Sequence, residues 1–188
     1  MLEKPDISSI PPALQRVALN LRTVGRIAFW SQLVLAVVSG AILLVFTAFG
    51  SNRTAQESVQ GIGLGIFFAI CGLVTLGIGI YLAFRYTSIS KQLLFPGDSA
   101  RPSKADTLKV IRLGLIVNLV GMLFTILGAQ AVIGIIIGTS LSQQGVILDA
   151  AQRVQPLDLL VVQANINTIT AHFVGIAASI WLFNRVNR

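Results

Sequence analysis

Four long stretches without a charged residue are the most regular feature of the sequence. They cover residues 27–50, 61–84, 113–138 and 164–183, and polar or charged segments separate them. A helix needs about 20 predominantly apolar residues to cross the hydrocarbon core of a bilayer. The pattern therefore predicts an all-α, polytopic membrane protein in which four transmembrane helices form a single membrane domain over residues 1–188.

Two shorter segments between or before these spans have amphipathic patterns. Residues 13–25 place Leu14, Val17 and Leu21 on one helical face, and Pro11 and Pro12 suit the first positions of a helix. We interpret this segment as a surface helix in the membrane interface; the alternative is a lead-in that simply continues the first span. Residues 143–155 predict a second surface helix. Ser103-Lys-Ala-Asp106 loosely matches a capping box and predicts the start of the third long helix.

Polar and small residues recur at helical spacing within the spans. The last span has the most regular stripe, in which successive residues are three or four positions apart: Asn165, Thr168, His172, Gly175 and Ser179. The third span has a similar stripe of Gly114, Asn118, Gly121, Thr125 and Gly128, and the first span has one of Gln32, Ala36, Ser39 and Leu43. Such faces must contact protein or water rather than lipid, so the stripes predict the interior of a bundle.

Glycine pairs indicate where helices approach one another closely. Gly61 and Gly65 form a Gly-x-x-x-Gly pair, with Gly72 and Gly79 near the same face, and Gly134 and Gly138 form another pair. Small residues at this spacing let helix backbones pack tightly in lipid.

The positions of the basic residues along the chain indicate how the protein is oriented in a membrane. Only 11% of the residues are charged, against about 25% in soluble domains, yet the net charge is +7. All but two of the 14 basic residues lie on the side of the membrane that holds both termini and the 85–112 connection; the exceptions are Arg53 and Arg153. The positive-inside rule therefore predicts cytoplasmic termini, and the basic face favours anionic lipids as partners rather than nucleic acid.

Few residues within the spans carry reactive chemistry. No acidic residue lies in any span, and His172 and Cys71 are the only histidine and cysteine. His172 is a candidate gate, metal ligand or proton acceptor, or a neutral hydrogen-bonding residue between helices. The amides of Gln32, Asn118, Gln130, Asn165 and Asn167 could coordinate a passing cation through oxygen or cross-link helices. No catalytic motif is present, so we expect no enzyme and no cofactor, and a metal site is not readable from one imidazole and scattered sulfur atoms.

Two blocks of sequence resemble a known family. They are Phe29–Val34 with Val38–Leu43, and Asn165–Phe173 with Ser179–Leu182. Both blocks are similar to cyanobacterial and plastid four-span proteins, whose plant members are the 21-kilodalton component of the chloroplast inner-envelope protein-import translocon, also described as a chloroplast iron permease. Residues 1–12 do not have the pattern of a transit peptide, so we expect a cyanobacterial member of this family in a plasma or thylakoid membrane.

Two functional hypotheses follow. The first is a non-enzymatic permease that moves iron or a similar small solute. The candidate residues for its path, or for polar contacts between helices, are His172, Asn165, Thr168, Asn118 and Gln32. The second is a structural or assembly subunit that interacts with other membrane proteins, including those of protein translocation. Either protein would act as a homo-oligomer or beside other membrane proteins.

Overall fold

Four long α-helices make up the described part of the chain. The computed structural model describes residues 11–50, 62–94, 101–142 and 156–187. Its helices are α1 (Pro12–Gly50), α2 (Ile62–Leu93), α3 (Lys104–Ser142) and α4 (Pro156–Asn187). These residues contain no strand, which confirms the all-α class.

The outer surface of the bundle is apolar, as expected for a protein in lipid. All four helices are long and apolar enough to cross a membrane. Large hydrophobic side chains on every helix point outward; Leu44 is 70% exposed, and Phe67 and Phe173 are each 60% exposed. A soluble protein rarely exposes a continuous apolar surface of this size. The fold is therefore that of a polytopic membrane protein.

The helices form an antiparallel ring in chain order, with α4 packed against α1. An apolar cluster at the end that holds Pro12 and Asn187, here called the terminal end, joins all four helices: Ala18, Leu21, Tyr86, Ile89, Leu93, Ile111, Leu182 and Val186. A second cluster closes the opposite end: Leu43, Phe46, Ala69, Val132, Val161 and Ala164. Buried polar residues lie between the two clusters, and α2 and α4 also touch across the bundle.

The predicted surface helix at residues 13–25 is not a separate element. α1 runs without interruption for 39 residues, about 58 Å at 1.5 Å per residue, which is longer than a hydrocarbon core of about 30 Å. Ala18 and Leu21 are fully buried against the ends of the other helices, and Ser90 Oγ donates to the Ala18 carbonyl at 2.7 Å. The apolar face of this segment is therefore buried against the other helices, and its position in the membrane interface stays a prediction.

The structure tests some of the other predicted helix boundaries and leaves others untested. The predicted surface helix at 143–155 lies outside the described residues. At the start of α3, the backbone N–H of Asp106 donates to Ser103 Oγ at 3.1 Å, and that hydroxyl donates to the Asp106 carboxylate at 2.6 Å. The aspartate variant of the capping box therefore forms. The limits of each span within the membrane stay predictions.

Candidate functional site

The polar stripes of the first, third and last spans all face the interior. The residues concerned are at most 3% exposed: Gln32, Ser39, Asn118, Thr125, Asn165, Thr168, His172 and Ser179. The structure therefore places these eight polar residues of the stripes inside the bundle. It does not join all of them in one network.

Three polar side chains from three helices meet about halfway along the bundle. Gln32 Nε2 donates to Asn118 Oδ1 at 2.8 Å, and the same oxygen lies 3.1 Å from His172 Nδ1. His172 Nε2 lies 3.2 Å from the backbone carbonyl oxygen of Gly72. Gln32, Gly72, Asn118 and His172 are called the central cluster below, and each comes from a different helix.

The central cluster bridges both diagonals of the bundle. The bond between Gln32 and Asn118 joins α1 to α3, and the contact between His172 and Gly72 joins α4 to α2. Gln32 Nε2 also donates to the Ala171 carbonyl at 3.2 Å, which ties α1 to α4. Four helices are thus held at one level by polar contacts that are withdrawn from solvent.

Glycines leave the space that these side chains occupy. A Cβ on Gly121 would collide with the His172 ring and with Thr75 Oγ1, and a Cβ on Gly175 would collide with Gln32 and Asn118. A Cβ on Gly79 would lie 3.0 Å from Asn118 Oδ1. The glycines on the inner faces are therefore required for the polar contacts as well as for close packing of the helices.

Polar groups continue the inner surface toward both ends. On one side of the central cluster, Ser39 Oγ donates to the Ala164 carbonyl at 3.0 Å and links α1 to α4. On the other side, Tyr86 Oη and Ser179 Oγ lie 3.3 Å apart and link α2 to α4. Ser179 lies 14 positions after Asn165 on the same helix, a rise of about 21 Å, or roughly two thirds of a hydrocarbon core.

Two of the predicted candidates bond within their own helix. Asn165 Nδ2 donates to the Val161 carbonyl at 3.1 Å, and Thr168 Oγ1 donates to the Ala164 carbonyl at 2.9 Å. Such bonds satisfy a buried polar group without linking helices. Both side chains lie on the inner surface, but these bonds do not connect them to the central cluster.

Some expectations for the polar and small residues were wrong. Gln130 is exposed, and Asn167 is half-buried and accepts from Gln163 Nε2 at 3.1 Å, so neither joins the inner amides. Among the described residues, none of another helix lies within 4 Å of a Cβ built on Gly134 or Gly138, so this pair does not mark a close helix contact within the bundle.

The sequence reasoning also missed two partners in the interior. The Gly72 carbonyl contacts His172 Nε2, and Tyr86 is buried with its hydroxyl near Ser179. The signal for both was available, because Gly65, Gly72, Gly79 and Tyr86 are seven residues apart and share one face of α2.

One acceptor in the central cluster has no partner. Gln32 Oε1 is buried and accepts no hydrogen bond from any residue that the structure describes. A buried polar atom without a partner costs about 1–3 kcal/mol. This atom is therefore an exception to the otherwise paired interior.

The ligand chemistry of the inner surface is limited to one imidazole, amides, hydroxyls and carbonyl oxygens. Within the described ranges, no three His, Cys, Asp or Glu side chains come together as a metal site. Cys71 is half-buried and precedes the glycine that contacts His172. Fold and inner surface together define a polytopic four-helix membrane protein with a polar centre.

Comparison with known proteins shows the family to which this membrane protein belongs. A family model described as "Protein of unknown function (DUF3611)" matches residues 11–187, so the chain belongs to the DUF3611 family. The chain is 29% identical over 193 residues to "Protein TIC 21, chloroplastic" of Arabidopsis thaliana. That alignment covers 98% of this chain and 62% of the relative, and no solved structure matches. The match confirms the predicted resemblance.

Proposed function

We propose that this protein is a non-enzymatic permease for a small cation, and that the central cluster closes its path in this structure. The observation that carries the proposal is the central cluster itself, in which Gln32 Oε1 is buried and has no partner among the described residues. Polar residues that only hold helices together gain nothing from an unpaired acceptor, whereas a path for a cation needs oxygen atoms that can bind it in passing. Polar residues deep in a membrane are expensive and more often functional than their soluble counterparts.

The polar inner surface supplies the rest of the argument. Hydroxyl and amide groups lie above and below the central cluster, over about 21 Å of the bundle axis. The interior offers neutral oxygen atoms and a single imidazole, which are weak ligands in such small numbers. Weak binding suits passage, because a cation must leave a site as readily as it enters.

Iron is the first cargo to test. The resemblance of the two sequence blocks implies an iron permease as one role of the family, and imidazole nitrogen is a suitable ligand for iron. Transport of iron by this chain is a proposal, as is its orientation with both termini in the cytoplasm.

The test is uptake of Fe²⁺ into proteoliposomes that contain the purified protein. We compare the native chain with His172→Ala and with a matched control, Thr170→Ala. Thr170 lies on the same helix, is exposed, and donates only to the Ile166 carbonyl of its own helix. Loss of uptake in His172→Ala, with normal uptake in Thr170→Ala, supports a path through the central cluster. Absence of uptake by folded, inserted native protein contradicts the proposal.

A second candidate is an assembly or translocation subunit. The observation that favours it is the degree of internal pairing: apart from Gln32 Oε1, the buried side-chain polar atoms of the described residues have partners. For such a subunit, His172→Ala should lower the thermal stability or change the assembly state, and no variant should affect cation flux, because none occurs.

A further inference from the structure

The contacts of His172 show a mismatch between donors and acceptors. Its Nδ1 lies 3.1 Å from Asn118 Oδ1, and its Nε2 lies 3.2 Å from the Gly72 carbonyl oxygen. Both partners are acceptors. A neutral imidazole carries one N–H and can satisfy only one of them, whereas an imidazolium carries two and satisfies both.

The orientation of the Asn118 amide decides whether this mismatch is real. Asn118 Nδ2 donates to the Gly114 carbonyl at 2.8 Å, so a flipped amide would place its oxygen against another oxygen. Gln32 restricts the amide in the same way, because Gln32 Nε2 must remain a donor to the Ala171 carbonyl at 3.2 Å. Two backbone carbonyls therefore hold both amides, and Asn118 Oδ1 faces the imidazole as an acceptor.

We propose that His172 is a proton-binding site, in which H⁺ adds to the free ring nitrogen and completes the hydrogen bonds to Asn118 and Gly72. The lone pair of that nitrogen takes the proton, and the ring passes from neutral to a charge of +1. The charged form makes two charge-assisted hydrogen bonds, which are about twice as strong as neutral ones. The neutral form loses either the α3–α4 contact or the α2–α4 contact.

The surroundings of His172 oppose the positive charge of the protonated ring. His172 is fully buried, and a buried charge without a counter-ion is costly. On the helices packed against it, the titratable or charged groups of the described residues that flank this level are Cys71 and Tyr86 on α2, Arg26 on α1 and Arg112 on α3, while Tyr81 and Arg85 on α2 are exposed. Tyr86 Oη is engaged with Ser179, and both arginines are exposed toward the terminal end. No carboxylate on the described parts of these helices lies beside the imidazole, so the two hydrogen bonds alone favour the proton.

This site does not depend on the proposed cargo. A proton on His172 would tighten the central cluster, and its departure would release one of two links between helices. In a permease, the proton is then a candidate coupling ion. In an assembly subunit, the same site would make helix packing depend on pH.

The experiment uses the fact that His172 is the only histidine in the chain. The full-length protein, labelled with ¹⁵N-histidine and reconstituted in lipid nanodiscs, gives one pair of ring-nitrogen signals. We expect one protonated nitrogen at high pH and two at low pH within a titration from about pH 9 to about pH 4, which brackets the ordinary imidazole range near 6.5. A ring that keeps one neutral tautomer throughout, in folded protein, overturns the proposal.

Three variants test the role of the Asn118 acceptor. Asn118→Leu removes it, so the ring should bind the proton at least about tenfold more weakly. Asn118→Asp supplies a carboxylate of the same size, so the transition should move to higher pH. Thr170→Val, an exposed change on the same helix, should leave the transition in place. A transition that neither Asn118 variant moves overturns the proposal, and if both variants fail to fold, the titration of the native chain decides.

The titration tests the proton site and the uptake assay tests the permease, so each proposal can be contradicted without the other. A normal titration without uptake contradicts the permease alone, and uptake without a titration contradicts the proton site alone.

Discussion

The contribution of the central cluster to stability can be tested by comparing Asn118→Leu with Thr168→Val. Both replacements remove a buried polar side chain and keep its approximate size. Asn118 accepts from Gln32 Nε2 on α1 and contacts His172 Nδ1 on α4, so its replacement removes two links between helices. Thr168 Oγ1 donates to the Ala164 carbonyl of its own helix, so that replacement removes no link of this kind.

The expected change in the free energy of unfolding follows from the number of hydrogen bonds lost. Hydrogen bonds between membrane helices contribute about 0.6 kcal/mol on average and about 1.7 kcal/mol at most. Two lost bonds therefore predict a decrease in the free energy of unfolding of about 1–3 kcal/mol for Asn118→Leu. For Thr168→Val, we expect a change within about 0.5 kcal/mol, because the Ala164 carbonyl keeps its backbone partner within the helix.

The assay is reversible unfolding in mixed micelles with increasing anionic detergent, followed by circular dichroism. A double-mutant cycle with Gln32→Leu isolates the bond between Gln32 and Asn118, and its coupling energy should be about 0.6–1.7 kcal/mol. Equal destabilisation by Thr168→Val and Asn118→Leu would refute the reasoning. A coupling energy near zero would show that the diagonal from α1 to α3 contributes nothing.

Three further predictions address packing, capping and topology. Gly121→Ala should lower the stability by about 1–3 kcal/mol, because the new Cβ would meet the His172 ring. Gly134→Ala should be neutral or slightly stabilising, because a Cβ there meets open space. Thermal unfolding compares the two variants, and equal effects would contradict the packing argument. Ser103→Ala should cost about 1 kcal/mol and speed amide hydrogen exchange in the first turn of α3, while unchanged exchange there would contradict the cap. In a chain whose Cys71 is replaced by Ala, Ala105→Cys should react with a membrane-impermeant maleimide in inverted vesicles but not in sealed right-side-out ones; the reverse pattern would contradict the predicted topology.

The sequence was sufficient to predict the four helices because their signal is local. Uncharged, apolar stretches of 20 residues or more are typical of membrane helices, and the spacing of the stripe around His172 predicts its inward face. The first turns of α1 were harder to predict. An apolar face with Ala18 and Leu21 fits a lipid interface as well as a protein interior, and only the ends of the other helices decide between them.

Pairing across the bundle could not be predicted from the sequence, because it depends on the relative height of helices that are distant in the chain. Gln32 and Asn118 are separated by 86 residues, and either amide could have faced a different neighbour. Gln130 was wrongly grouped with the inner amides for the same reason, because a single amide within a span does not show on which face of the helix it lies. Helical spacing identifies a face only where several polar residues repeat, as they do around His172.

The small residues and the polar residues of the interior form a single arrangement. Each helix that offers a polar side chain meets a glycine on a neighbour: His172 lies against Gly121, and Asn118 lies against Gly79 and Gly175. A methyl group at such a glycine would push apart helices whose polar atoms must stay within about 3 Å of one another to bond. In the proposed permease, opening a path would therefore require that a glycine contact and a hydrogen bond separate together. The proposals place this change at His172, because its ring faces two acceptors and one added proton would allow both bonds to form.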